Sequence, residues 1–167
     1  YLGLLTTKSF SNMTTLSKDT NQARGIAEYA IDFLNSSKNI DPAVYERVRL
    51  FHSDSVLCGL SALALRTSAP NVLRNEAMTS YKATDKQIES GMKISKCFGS
   101  SEWVSAEKAI AANASAVREW DSNGTLFGFN PSIPGHNAGE FGHNDYYPVV
   151  IAAAQSNSKY NGQDALK

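Results

Sequence analysis

The sequence predicts an all-α fold, and three observations carry that prediction. Ile26, Tyr29, Ala30, Phe33 and Leu34 fall at i, i+3, i+4, i+7 and i+8, the apolar stripe of an amphipathic helix. Asp41-Pro42 is a helix start: Asp caps, and Pro at the first helical position has no N–H to lose. The run AEKAIAANASAVRE is rich in alanine, the residue with the best helix propensity. At 167 residues, 42% hydrophobic, the chain is one domain by length and large enough to bury a sizeable core.

Taken in order, the first helix covers residues 21–36, capped by Asp19 or Thr20 and closed by the turn residues NSSKNI. The second runs from Pro42 to about Arg66. Its first half is amphipathic through Val44, Val48 and Phe51, and its second half, SVLCGLSALAL, is apolar almost all round, which places it centrally. Gly59 inside that half implies a close helix crossing, since glycine disfavours a helix interior by about 1 kcal/mol. Ser68-Ala69-Pro70 breaks the chain before a third, weaker helix over 71–82. KISKCF reads as a short strand or extended segment, followed by a turn at Gly99-Ser100-Ser101. Ser105 then caps a helix over 106–120, and a last helix begins with Pro148 at its first position. The expected core is Leu57, Leu60, Ile110, Val117 and Ile151. Residues 21–155 form the helical domain, between a tail at 1–20 and a frayed polar tail at 156–167.

Composition narrows the function classes. A net charge of zero makes no electrostatic case for nucleic acid. No apolar run approaches the roughly 20 residues of a membrane span. Cys58 and Cys97 lack metal-ligand spacing and fit a reducing compartment, with a disulfide left open. Residues 1–18 are rich in Ser and Thr and contain no acid, which resembles a mitochondrial transit remnant without its arginines; a frayed polar tail is the plainer account. The N-x-[ST] sequons at Asn12, Asn35, Asn113 and Asn123 are taken as chance matches.

The candidate site is the loop WDSNGTLFGFNPSIPGHNAGEFGHNDYYP, residues 120–148. Loops beyond about a dozen residues are uncommon unless functional or disordered, and this one is rich in aromatics. Asp121 and Thr125 flank the turn SNG; Asp121 is either an Asx-type turn former or a site carboxylate. His143 lies between glycine and the start of the last helix, where an anion is favoured; it is either a loop tie or a proton carrier. His136, Glu140 and His143 match no strong metal motif. No nucleotide loop and no G-x-S-x-G is present, so no cofactor is expected.

Three stretches resemble the MmgE/PrpD family, which includes 2-methylcitrate dehydratase and cis-aconitate decarboxylase: LFHSDSVLCGLSAL, AIAANASAVREWDSNGT and AGEFGHNDYYPVVIAAA. The resemblance spans most of residues 24–155 and implies the front part of that family's helical domain. It puts the family's site aspartate, threonine and histidine on Asp121, Thr125 and His143. Asn123-Gly124 replaces the family's second acid, and the family's later lysine, tyrosine and histidine have no counterpart. Two functions follow as expectations. One is part of a hydro-lyase site for a small tricarboxylate, completed by a second chain or a carboxyl-terminal part. The other is an inactive structural subunit of a larger, mitochondrial assembly.

Overall fold

Small side chains set the spacing between the helices. The computed structural model describes residues 19, 21–35, 40–91, 93–122, 125–126, 132, 134, 140–141, 143–157 and 159–166. The chain divides into two units, Tyr1–Asn39 and Ile40–Lys167.

The first unit contains α1 (Gln22–Asn35). Asn21, rather than Asp19 or Thr20, caps it: its side-chain oxygen accepts from the Arg24 amide at 3.2 Å. One turn apart, the rings of Tyr29 and Phe33 stack with centroids 6.2 Å apart.

The second unit opens with α2 (Pro42–Ala64), capped as expected, the Asp41 carboxylate accepting from the Ala43 amide at 2.9 Å. Arg66 adopts a left-handed φ of 57° and ends the helix. The break therefore comes before Ser68, not at Ser68-Ala69-Pro70. Pro70 lies in the first turn of α3 (Ser68–Ser80), where an amide has no intrahelical partner to lose. A short α4 (Asp85–Ser90) follows, held by a capping box between Thr84 and Gln87.

Helices carry the fold, and two short antiparallel ribbons join them. In the first, β1 (Ile94–Lys96) pairs with β2 (Trp103–Ser105), with Ser95 opposite Val104. The Gly99 turn lies between them, with φ 67°. Next comes α5 (Ala106–Arg118), then β3 (Thr125–Leu126) paired with β4 (Glu140–Phe141). A 3-10 turn (His143–Tyr146) runs directly into α6 (Tyr147–Gln155). The tail expected to fray instead holds α7 (Gly162–Leu166), whose start is tied by the Asn161 side chain accepting from the Gln163 amide at 2.8 Å.

The packing face of α2 is Ser55, Gly59 and Ala62, all buried. It meets α5, which buries Ala109, Ala112, Asn113, Ala116 and Val117. On another side α5 packs against α3, where Ala77 joins Cys97, Val104, Ala109 and Ala112 in the core. Of the expected core, Val117 is buried and Ile110 and Ile151 are partly so. Leu57 and Leu60 are not: they are 65% and 39% exposed. Leu57 lies two residues from both Ser55 and Gly59, about 200° around the helix from each. Once the small residues face α5, Leu57 must point away.

Polar side chains finish the edges of the first ribbon. The Gln155 side-chain oxygen accepts from Ser95 Oγ at 2.7 Å and from the Lys96 amide at 3.1 Å. Ser156 Oγ donates to the Ile94 carbonyl at 2.7 Å. Both cysteines are free thiols. No single helix among the described residues is long and apolar enough to cross a membrane.

Candidate functional site

The loop of residues 120–148 leaves α5 through a left-handed residue. Asp121 has φ 48°, and its amide donates to the Arg118 carbonyl at 2.9 Å. Aspartate tolerates this conformation better than most residues with a Cβ. The turn brings its carboxylate back onto the last turn of α5, where it pairs with Arg118 Nη1 at 2.7 Å. Arg118 Nε lies 3.8 Å from Asp145 Oδ2, in the 3-10 turn at the far end of the loop. One guanidinium thus spans two carboxylates that are 24 residues apart in sequence.

The second ribbon narrows the same neck. Thr125 pairs with Phe141 and Leu126 with Glu140. The backbone of Thr125 is therefore opposite a residue two positions before His143, while Asp121 is tied toward a residue two positions after it. The backbones around all three expected site residues are gathered at one neck. The side chains of Thr125 and His143 lie outside the described residues, as does His136 with the metal reading built on it. At the start of the loop, Ser122 Oγ approaches Cys58 Sγ on α2 at 3.7 Å.

Lys108 does not serve this loop. Its Nζ bonds Glu76 at 3.0 Å and sits 4.2 Å from the centroid of the Tyr81 ring. The bond to Glu76 raises its pKa, and it lies about 15 Å from Arg118 along α5. The helical stack also begins earlier than Pro148, because the 3-10 turn places His143 at its first residue. The positive end of the helix dipole is still directed at the loop, one short turn nearer the histidine.

Sequence reasoning missed two features. Asp145 carried no signal, because its partner is distant in sequence. His52 sits mid-helix in α2, and its ring meets Tyr147 edge-on, with centroids 5.6 Å apart and an interplanar angle of 69°. Burial lowers the His52 pKa below its ordinary 6.5 and raises that of Tyr147. His52 Nδ1 is buried without a hydrogen-bond partner among the described residues. The unfolded chain therefore binds a proton at His52 more readily than the folded one. Stability from this residue is full above pH 6.5 and is lost as pH falls from there toward the lowered folded value. Urea unfolding across that window should show the wild type losing stability relative to His52→Gln; parallel curves would contradict this.

Arg118, Asp121 and Asp145 are all partly solvent-exposed, and their side chains hold a loop neck rather than a dry pocket. Among the described residues the neck presents two carboxylates and one cation that they share, short of the positive charge needed to neutralise a ligand's carboxylates. No family model, curated protein or solved structure matches the chain.

Proposed function

We propose that this chain is the amino-terminal portion of a 2-methylcitrate dehydratase-like hydro-lyase of the MmgE/PrpD kind. It supplies part of a site for a small tricarboxylate. His143 handles the proton of the reaction, and Asp121 and Thr125 position it or the substrate. The observation that carries this reading is the double closure of the loop neck: the Arg118 bridge from Asp121 to Asp145 and the pairing of Thr125 with Phe141. The resemblance assigns site roles to residues on both strands of that neck, which are far apart in sequence.

Dehydration of such an acid removes a proton from one carbon and hydroxide from its neighbour, leaving a carbon–carbon double bond and water. It needs a base, an acid at the departing hydroxyl, and cations for the carboxylates. Arg118 is already engaged by Asp121, and Lys108 is committed to Glu76. The remaining cations must come from a second chain or a carboxyl-terminal part. The placement proposed for the assembly is the mitochondrial matrix.

A second reading is a structural subunit without activity. The pairing of Arg118 with this chain's own carboxylates favours it, since that charge is satisfied without a ligand. Native purification, with intact masses of every co-purifying chain, tests the two together. The pure chain should not dehydrate 2-methylcitrate, and the completed assembly should. His143→Gln should abolish that activity without altering the assembly's mass. Turnover by the isolated chain would refute the part-site reading, and an inactive complete assembly would leave the structural role.

A further inference from the structure

Between α2, α6 and α7 lies a cavity of about 530 Å³ that shares no residue with the Arg118 neck. Val48, Arg49 and His52 line it from α2, Val150 and Ile151 from α6, and Leu166 from α7. Its size and largely apolar wall are those of small-molecule sites, in which a few polar groups orient an apolar ligand.

The polar groups in this wall have one sign. Arg49 is the only formally charged side chain in the lining. Its partner Glu46 lies outside that lining, in an adjoining cleft with Pro42, Tyr45 and Gln163 that Arg49 and Leu166 also border. Glu46 takes Arg49 Nε at 3.1 Å and Nη2 at 2.8 Å, and Nη1 has no hydrogen-bond partner among the described residues. Beside Arg49, one helical turn on, is the His52 imidazole, which burial keeps from becoming a second cation. The wall thus combines one guanidinium with a largely apolar lining that includes the Tyr147 ring, and the only acid near that guanidinium among the described lining residues is Glu46, on its outer side.

We propose that this cavity binds an aliphatic monocarboxylate, its tail among Val48, Val150, Ile151 and Leu166 and its carboxylate at Arg49. Nη1 can donate a charge-assisted hydrogen bond to the ligand carboxylate beside the existing Glu46 pair, and burial of the tail supplies the hydrophobic term. A tricarboxylate suits this wall poorly, since one cation would face three charges. The inference is therefore independent of the hydro-lyase reading.

Calorimetric titration of the full chain with decanoate, decanol and acetate at pH 7.5 tests it, with methyl resonances of Val48, Val150 and Ile151 reporting the location. Decanoate should bind saturably and shift those methyls. Decanol should bind about tenfold more weakly and acetate not measurably, as expected for loss of one charged hydrogen bond or of the tail. Arg49→Gln should bring decanoate down to the level of decanol. Val150→Trp on α6 and Ala165→Trp on α7, both lining the cavity, fill it from two different helices, and each should weaken decanoate by more than tenfold. Should one of these variants lose its helical circular dichroism, the other decides; should both, the methyl shifts and Arg49→Gln decide. The proposal is overturned by absence of saturable decanoate binding, by equal affinity for decanol, by unaltered affinity in Arg49→Gln or in a folded tryptophan variant, or by methyl shifts elsewhere.

Discussion

Asn113→Leu is expected to destabilise the protein by about 3–4 kcal/mol, because it leaves two backbone groups without partners in a buried place. The Asn113 side-chain oxygen accepts from the Phe98 amide at 2.8 Å, and its NH₂ donates to the Lys96 carbonyl at 3.0 Å. Asn113 is 6% exposed, so water does not readily replace either bond. The side chain fastens the chain leaving β1 to the middle of α5. Asn113→Asp distinguishes hydrogen bonding from packing. As a carboxylate it can still accept from Phe98, but it faces the Lys96 carbonyl with a lone pair and is buried charged. Its pKa should rise, and a carboxyl with a raised folded pKa favours folding as pH falls through that value. Relative to the wild type, Asn113→Asp should therefore recover stability on acidification and Asn113→Leu should not. Urea midpoints at a series of pH values read this directly; a loss below about 1 kcal/mol for Asn113→Leu would contradict the two-bond account. The same geometry removes Asn113 as a glycan acceptor in the folded chain, because its amide is already used.

Gly59→Leu is expected to cost about 3 kcal/mol, with Gly59→Ala costing about 1. A Cβ at position 59 would lie 2.8 Å from Phe98 Cε2, 2.9 Å from Cδ2, and 3.5 Å from the Ala116 Cβ. The ring cannot retreat freely. The Phe98 amide is held by Asn113, and Arg74 Nε donates to the Phe98 carbonyl at 2.9 Å. Alanine gains about 1 kcal/mol in helix propensity over glycine, so a net loss means the clash costs roughly twice that. A Gly59→Ala variant with a higher melting temperature would rule out the tight crossing. Gly59→Ala combined with Phe98→Leu should be less destabilised than the sum of the two, since the smaller side chain gives back the space.

These two residues also mark how far the sequence could be followed. Glycine inside the apolar run of α2 signalled a close crossing, and the structure places Ala116 and Phe98 there. The alanine-rich helix and the Asp41 cap were equally legible, since both depend on groups within one or two turns. The capping box of α4 is likewise local, present in Thr84-Asp85-Lys86-Gln87 as a standard pattern. The neck of the 120–148 loop was legible only in part. Asp121, Thr125 and His143 stood out by residue type and by resemblance, whereas the link from Arg118 to Asp145 did not, because nothing local ties position 118 to position 145.

By itself the sequence determined the helical class, the start of α2 and the small-residue seam of α5, all of which follow from propensities and contacts within a few residues. Tertiary structure alone decided which face of α2 is buried. The run SVLCGLSALAL is apolar nearly all round, so its own pattern gives no preferred direction. The close approach of α5 selected Ser55, Gly59 and Ala62 and turned Leu57 outward, because only the small side chains leave room for a second helix. The same assembly of α2, α6 and α7 set His52 against Tyr147 and formed the cavity beside Arg49, contacts between residues about a hundred positions apart that no local preference encodes.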